Sequence, residues 1–230
     1  MIGTQITGRT REKNMKKRIA IIIATLAVGA VLVLSGCAST QTGTEQGVTT
    51  SQSMETVEGD IRLVVIDVNS AGQALASLIR PNQAETAKAL DTYSKSVDAL
   101  VKSSEKYTKH SEEMRVHGRD YFEDWRVQGS TYQNAQIRSL SDQRRSELSA
   151  VYADIATQSV GVQGSVATHV SMLQEIKTYF TTDLTPRGVQ VMTPTALDAI
   201  ADGHALNIKL ENVLASISAV RYELASGDSR

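Results

Sequence analysis

"LDTYSKSVDALVKSSEKYTKHSEEMRVHGRDYFEDW", residues 90–125, carries Leu90, Tyr93, Val97, Leu100, Ser104, Tyr107, Ser111, Met114, Gly118, Tyr121 and Trp125 at alternating steps of three and four. This is the 3.5-residue period of a heptad seam, sustained over about five repeats. A strand, whose side chains alternate with period two, cannot place these residues on one face. Ser104, Ser111 and Gly118 are small, so a neighbouring helix is expected to approach closely there, unlike in a leucine zipper. A helix from Asn82 to Gln128 would be roughly 70 Å long.

On the C-terminal side, Gly129, Ser130, Thr131 and Asn134 interrupt the pattern. A second long segment, from about Gln136 to Thr181, follows through Ile137, Leu140, Leu148, Val151, Ile155, Val162, Val166, Val170, Leu173, Ile176 and Phe180. Its seam slips near Val162, Val166 and Val170, which relaxes a supercoil locally. Gly161 and Gly164 fall at the same place, and their cost in helix propensity suggests a bend or a close backbone contact. The matched lengths favour an antiparallel hairpin. On the N-terminal side, Ile61, Val64 or Val65, Val68, Gly72, Leu75 and Ile79 suggest an earlier helix closing at Pro81. Thr185-Pro186 and Thr193-Pro194 are two helix-start signals, read as a short helical turn and then a last helix. That helix carries Leu206, Leu210, Val213, Ile217, Val220 and Leu224 and ends near Gly227. The expected fold is all-α: a long antiparallel coiled-coil hairpin with an additional N-terminal helix and a C-terminal helix packed on it, over residues 55–226, with a tail at 227–230.

The start of the chain has a different character. Met15 is followed by Lys16, Lys17 and Arg18 and then by sixteen uncharged, mostly apolar residues, Ile19 to Leu34. This order matches a signal peptide, with Met15 as the expected true start. Leu34, Ser35, Gly36 and Cys37 close the run and resemble a bacterial lipobox. Residues 1–36 are then expected to be removed before Cys37, whose thiol would be alkylated by a lipid. The small Ser35 and Gly36 would give a peptidase access to the backbone. In lipoproteins of this kind an Asp after the Cys favours inner-membrane retention, whereas this chain has Ala38, which favours the outer membrane. Residues 38–54, "ASTQTGTEQGVTTSQSM", hold eight Ser or Thr and one charge. They read as a flexible tether spanning roughly 20–25 Å on average, with Cys37 at its head.

Residues 1–36 carry six of the 24 Lys and Arg and one of the 25 Asp and Glu, leaving 18 bases against 24 acids, a net of −6. Such a body suits neither nucleic acid nor lying on anionic lipid. The single Cys allows no internal disulfide.

Candidate chemistry is sparse. His110 and His117 lie one heptad apart with Glu113 between them and are weak candidates for a metal; a polar shoulder of the seam is the simpler reading. Asp120, Glu123 and Asp124 could supply paired carboxylates. Arg119 and Arg126 stand four and three residues from Glu123, so an exposed, ion-paired helix face is the simpler reading. No nucleophile-elbow, zinc-protease, phosphate-loop or dinucleotide fingerprint occurs. Tyr121, Phe122, Trp125 and Tyr132 form an aromatic cluster at the end of the long helix, read as a structural joint and, where exposed, as a partner surface.

Tyr121, Phe122, Glu123 and Trp125, followed by Tyr132, Arg138 and Ser141 and then Leu148 and Tyr152, resemble an uncharacterised family of bacterial helical lipoproteins, domain of unknown function 2959. The likeness covers roughly residues 55–225. Where that family has a Lys-His-Asn-Leu-Asn turn, this chain reads "IKTYFTTDLTPRGV", residues 176–189. The resemblance implies location and architecture and transfers no catalytic residue.

The sequence therefore leads us to expect a lipid-anchored, periplasm-facing scaffold, tether or partner-binding module, not an enzyme, with no cofactor. Its partners would be the membrane, through the anchor, an envelope protein, and in some arrangements a second copy, with no nucleic acid. The alternative is an envelope-acting enzyme or metal-dependent factor using the carboxylates and His110 or His117, which requires a pocket gathering them. A small-ligand carrier would need a core cavity that the small seam residues disfavour.

Overall fold

The computed structural model describes residues 43–80 and 85–226. Four helices account for nearly all of them: α1 (Gly43–Leu78), α2 (Thr86–Ser130), α3 (Ala135–Thr182) and α4 (Pro186–Ser226), with no strand among the described residues. Each helix packs on its neighbours in sequence, and α1 also packs on α4, which closes the ring. Cross-helix contacts run in opposite directions at every interface. Gln46 meets Asp124 and Asp60 meets His110 between α1 and α2. Tyr93 meets Leu173 and Tyr107 meets Ser159 between α2 and α3. Gln158 meets Ser216 and Ser165 meets Lys209 between α3 and α4. The chain is an up-down-up-down antiparallel bundle. The expected hairpin is its α2–α3 half.

The core is a set of heptad seams. In α1 the fully buried residues are Met54, Val57, Ile61, Val64, Ala71, Leu75 and Leu78, with Val68 almost so. Here Ala71 occupies the position expected for Gly72, which faces open space. In α2 Tyr93, Val97, Leu100, Ser103, Tyr107, Ser111, Met114, Gly118 and Phe122 are buried. In α3 the seam is Leu148, Tyr152, Ile155, Ser159, Val162, Val166, His169, Leu173, Ile176 and Phe180, all buried except the half-buried Val162. Val170 is buried as well, so the expected step-of-four run Val162, Val166 and Val170 lines the core, while Tyr152, Ser159 and His169, which hydrophobicity alone passes over, keep a regular heptad seam beside it. Gly161 and Gly164 lie inside the unbroken helix with nothing within 4 Å of a Cβ at either, so no close contact explains them. Each fully buried Leu or Ile contributes about 1.5–3 kcal/mol relative to exposure.

Three expectations need correction. Residues 43–54 are not a tether: the helix begins at Gly43, with Thr50 and Met54 only 2% and 0% exposed. Ser and Thr have modest helix propensity, but the C-terminal half of α2 presents an apolar wall, and packing outweighs propensity. The domain boundary thus lies at residues 42/43 rather than 54/55. Second, Ile137, Leu140 and Val151 are exposed rather than in the seam. α4 ends at Ser226, ten residues past the Ser216–Gln158 contact, while α3 begins at Ala135, 23 residues before it. The hairpin tip overhangs α4 by about 20 Å. Third, α4 is one helix through Pro194, not a short turn and a second start. The Thr193 hydroxyl donates back to the Val189 carbonyl at 2.8 Å instead of capping a new helix.

The turns follow local chemistry. Asn134 Oδ1 accepts from the backbone N–H groups of Gln136 and Ile137 and caps α3. Thr185 Oγ1 accepts from Gly188 N at 3.1 Å and caps α4, as its place before Pro186 suggests. Thr185 N–H and O–H both donate to Asp183 Oδ1, which holds the Asp183 carboxyl below its ordinary range. The expected stop at Pro81 and the tail at 227–230 lie outside the described residues, as do Leu34, Ser35, Gly36 and Cys37.

Candidate functional site

The aromatic cluster at the tip end of α2 is mostly consumed by packing. Phe122 is buried and meets Tyr152 edge-on at 5.7 Å. Tyr121 is half-buried under α1, with its ring against Gly47. Trp125 donates its indole N–H to Ser141 Oγ at 2.9 Å. Tyr132 is the most open of the four. The joint is held by Gly118: a Cβ there would lie 1.9 Å from the Tyr152 ring, whose hydroxyl donates to the Met114 carbonyl. Tyr152 belongs to no sequence-level seam, and only the close approach expected at Gly118 hints at it.

The metal candidates separate. His110 Nδ1 lies 2.5 Å from Asp60 Oδ2 on α1, Glu113 pairs with Lys109 at 3.7 Å, and His117 is exposed. Among the described residues no group of three or more His, Cys, Asp or Glu could hold a metal ion. The carboxylates also part company. Arg119 holds Asp120 at 2.8 Å, Arg126 holds Glu123 through two hydrogen bonds, and Asp124 accepts from Gln46 across to α1. The Arg126 hydrogen bonds keep the Glu123 carboxyl below its ordinary range. Asp120 and Glu123 border an open groove of about 930 Å³ floored by Phe122, Tyr152 and Ala153, and neither His reaches it.

A polar layer interrupts the core midway. His169 is 6% exposed and lines a cavity of about 210 Å³ with Asn69, Gln73, Gly203 and His204. Its Nδ1 has no partner, and burial holds the imidazole below its usual range, with Asp202 opposing in part. Asn207 donates to Asn69 Oδ1 at 2.9 Å while its own Oδ1 is unpartnered. Gly203 keeps this layer closed, since a Cβ there would sit 3.3 Å from the His169 ring.

Uncovered apolar residues also lie on the outer face of α4. Leu197, Ile208 and Tyr222 are 54%, 62% and 74% exposed. Ala201, Ala205, Ala215 and Ala219 are exposed between them at helical spacing. These residues share one side of α4 over about 38 Å, with the exposed His204, Glu211 and Asn212 interspersed among them. The inward seam of α4 hides this second periodicity in sequence, because a helix apolar on two faces shows little contrast. Comparison with known proteins returns no match to a family model, to a curated protein or to a solved structure. Among the described residues no helix is long and apolar enough to cross a membrane.

Proposed function

We propose that this chain is a lipid-anchored scaffold of the bacterial envelope, held through Cys37 to the outer membrane, whose bundle binds a partner protein on the periplasmic side through the outer face of α4. The observation carrying the partner reading is the stripe of Leu197, Ile208 and Tyr222, each more than half exposed on a helix whose opposite face already serves the core. Isolated exposed apolar residues are ordinary, but an aligned set on one helix is the usual footprint of a helix-to-partner contact. Alanines between the large residues let a second helix approach closely. The anchor reading rests on Lys16, Lys17 and Arg18, the apolar run and Leu34-Ser35-Gly36-Cys37.

Photo-crosslinking residues placed at Ile208 and Tyr222, with exposed Lys102 on α2 as control, test the reading in the native envelope. A discrete adduct from the α4 positions and none from Lys102 is the expected result. No adduct, or equal labelling at all three positions, would remove α4 as the partner face. The mass of the mature N-terminus tests the anchor: an acylated Cys37 is expected, and an intact, unmodified chain from Met15 contradicts it.

A further inference from the structure

Topology places the beginning of α1 at the hairpin tip. Gln46 reaches Asp124, so Gly43 lies at the end where α2 turns into α3 and not at the end where α3 turns into α4. Six residue steps join Cys37 to Gly43, and whatever their conformation they span at most about 22 Å. A lipid on Cys37 therefore keeps the tip within reach of the bilayer surface, whereas the linkage sets no such bound on the opposite end.

The tip is composed for that neighbourhood. Val48, Val127, Ile137 and Leu140 are 51%, 49%, 51% and 60% exposed, and Tyr132 is 38% exposed beside them in the turn. From Trp125 to Leu140 the only charges are Arg126 and Arg138, and the segment contains no Asp or Glu although the mature chain is acidic. Arg138 donates to the Tyr132 carbonyl through Nε and Nη2 and keeps its guanidinium at the surface of the turn. Aliphatic side chains with a Tyr and Arg at their margin match the boundary of headgroups and acyl chains, where the apolar parts bury and guanidinium groups meet phosphate. The hairpin overhangs the end of α4, while the first turns of α1, with the exposed Glu45, lie beside it at this end.

We infer that the α2–α3 tip, through Val127, Tyr132, Ile137, Leu140 and Arg138, docks on the surface of the membrane that holds the anchor, so that the bundle stands end-on with its tip in the headgroup layer. The inference rests on the anchor reading at Cys37 and is independent of what α4 binds.

Trp125 is the only Trp in the chain and lies at the tip, so it reports contact directly. The mature chain from Cys37, coupled through its sole thiol to vesicles bearing maleimide headgroups and nitroxide-labelled acyl chains, supplies the anchor chemically. Trp125 fluorescence should be strongly quenched. In a Trp125→Phe, Tyr179→Trp chain the reporter moves along α3 by about 57 Å to the other end, and its emission should match that on nitroxide-free vesicles. Leu140→Asp with Ile137→Asp, at two exposed positions, should abolish quenching of Trp125 with an unchanged thermal melt; Leu140→Asp alone serves if the pair melts early. Equal quenching at the two ends, stronger quenching at residue 179, or quenching indifferent to the aspartates overturns the inference. Because coupling bypasses cellular lipidation, an unmodified Cys37 in cells would instead defeat the anchor reading.

Discussion

Two residues set how tightly α2 and α3 meet and how the core answers to pH. Gly118→Ala drives a Cβ into the Tyr152 ring, so it should cost about 1–3 kcal/mol or more by overpacking, read as a lowered melting temperature. Tyr152→Phe keeps the ring but loses the bond to the Met114 carbonyl, a cost of about 1 kcal/mol. Gly118→Ala made in a Tyr152→Ala background should be much cheaper, and strict additivity would show that the contact is not the cause. His169 gives the pH signature. Folded His169 takes a proton less readily than in the unfolded chain, whose value is near 6.5. Below that pH the unfolded state binds more protons, so stability is untouched by this group above it and falls as pH drops through it, until the folded imidazole also protonates. Melting temperatures compared at about pH 7.5 and 5.5 should fall more in the parent than in His169→Gln, and parallel falls would absolve His169. Neither residue is legible by hydrophobicity. Gly118 is visible as a small residue in a seam, but Tyr152 holds a core position through its hydrogen bond to the Met114 carbonyl and His169 through burial alone, and pattern reading scores both as polar.

The elements were largely written in their periodicity, and the errors occurred where a helix end depends on a neighbour. α2 and α3 follow from the seam at 90–125 and its matched successor, to within a few residues at each end. The start of α1 does not, because "GTEQGVTTSQSM" has weak propensity and becomes helical against α2. A chain beginning at Glu55 should therefore lose the burial of Thr50 and Met54, at least about 2 kcal/mol for the methionine alone. For a domain of this size that lowers the melting temperature by roughly 4–8 °C, whereas a chain beginning at Gly43 should melt as the parent does. Equal melting of both would restore the tether reading. In α4, two Thr-Pro pairs look alike in sequence, but only Thr185 caps; Thr193 lies within the helix and bonds back to Val189. The outward stripe was missed for a related reason, since whether a second apolar face is covered depends on how many helices surround it.

At the scale of the bundle, the described helices form a ring of antiparallel neighbours, in which the close backbone approaches join helices adjacent in sequence or the first and last. Arg221 on α4 closes the ring by pairing with Glu55 at 3.2 Å and Glu58 at 2.7 Å on α1. Burial pushes the Glu58 carboxyl up, but hydrogen bonds from Arg62 and Arg221 outweigh it and hold the group below its ordinary range. The α2–α3 interface is stitched differently, by phenols. Tyr93 donates to the Leu173 carbonyl at 2.8 Å, Tyr107 to the Ser159 carbonyl at 2.9 Å, and Tyr152 to the Met114 carbonyl. Burial lifts all three above the usual phenol range, Tyr152 to about 12. A phenol that ionises less readily in the folded chain contributes stability that is intact below pH 10 and is lost as the solution grows more alkaline. Raising the pH should therefore produce phenolate absorbance in two stages, an early one that leaves helical ellipticity unchanged and a late one that coincides with its loss. The hairpin carries its own colorimetric record of the moment its helices part.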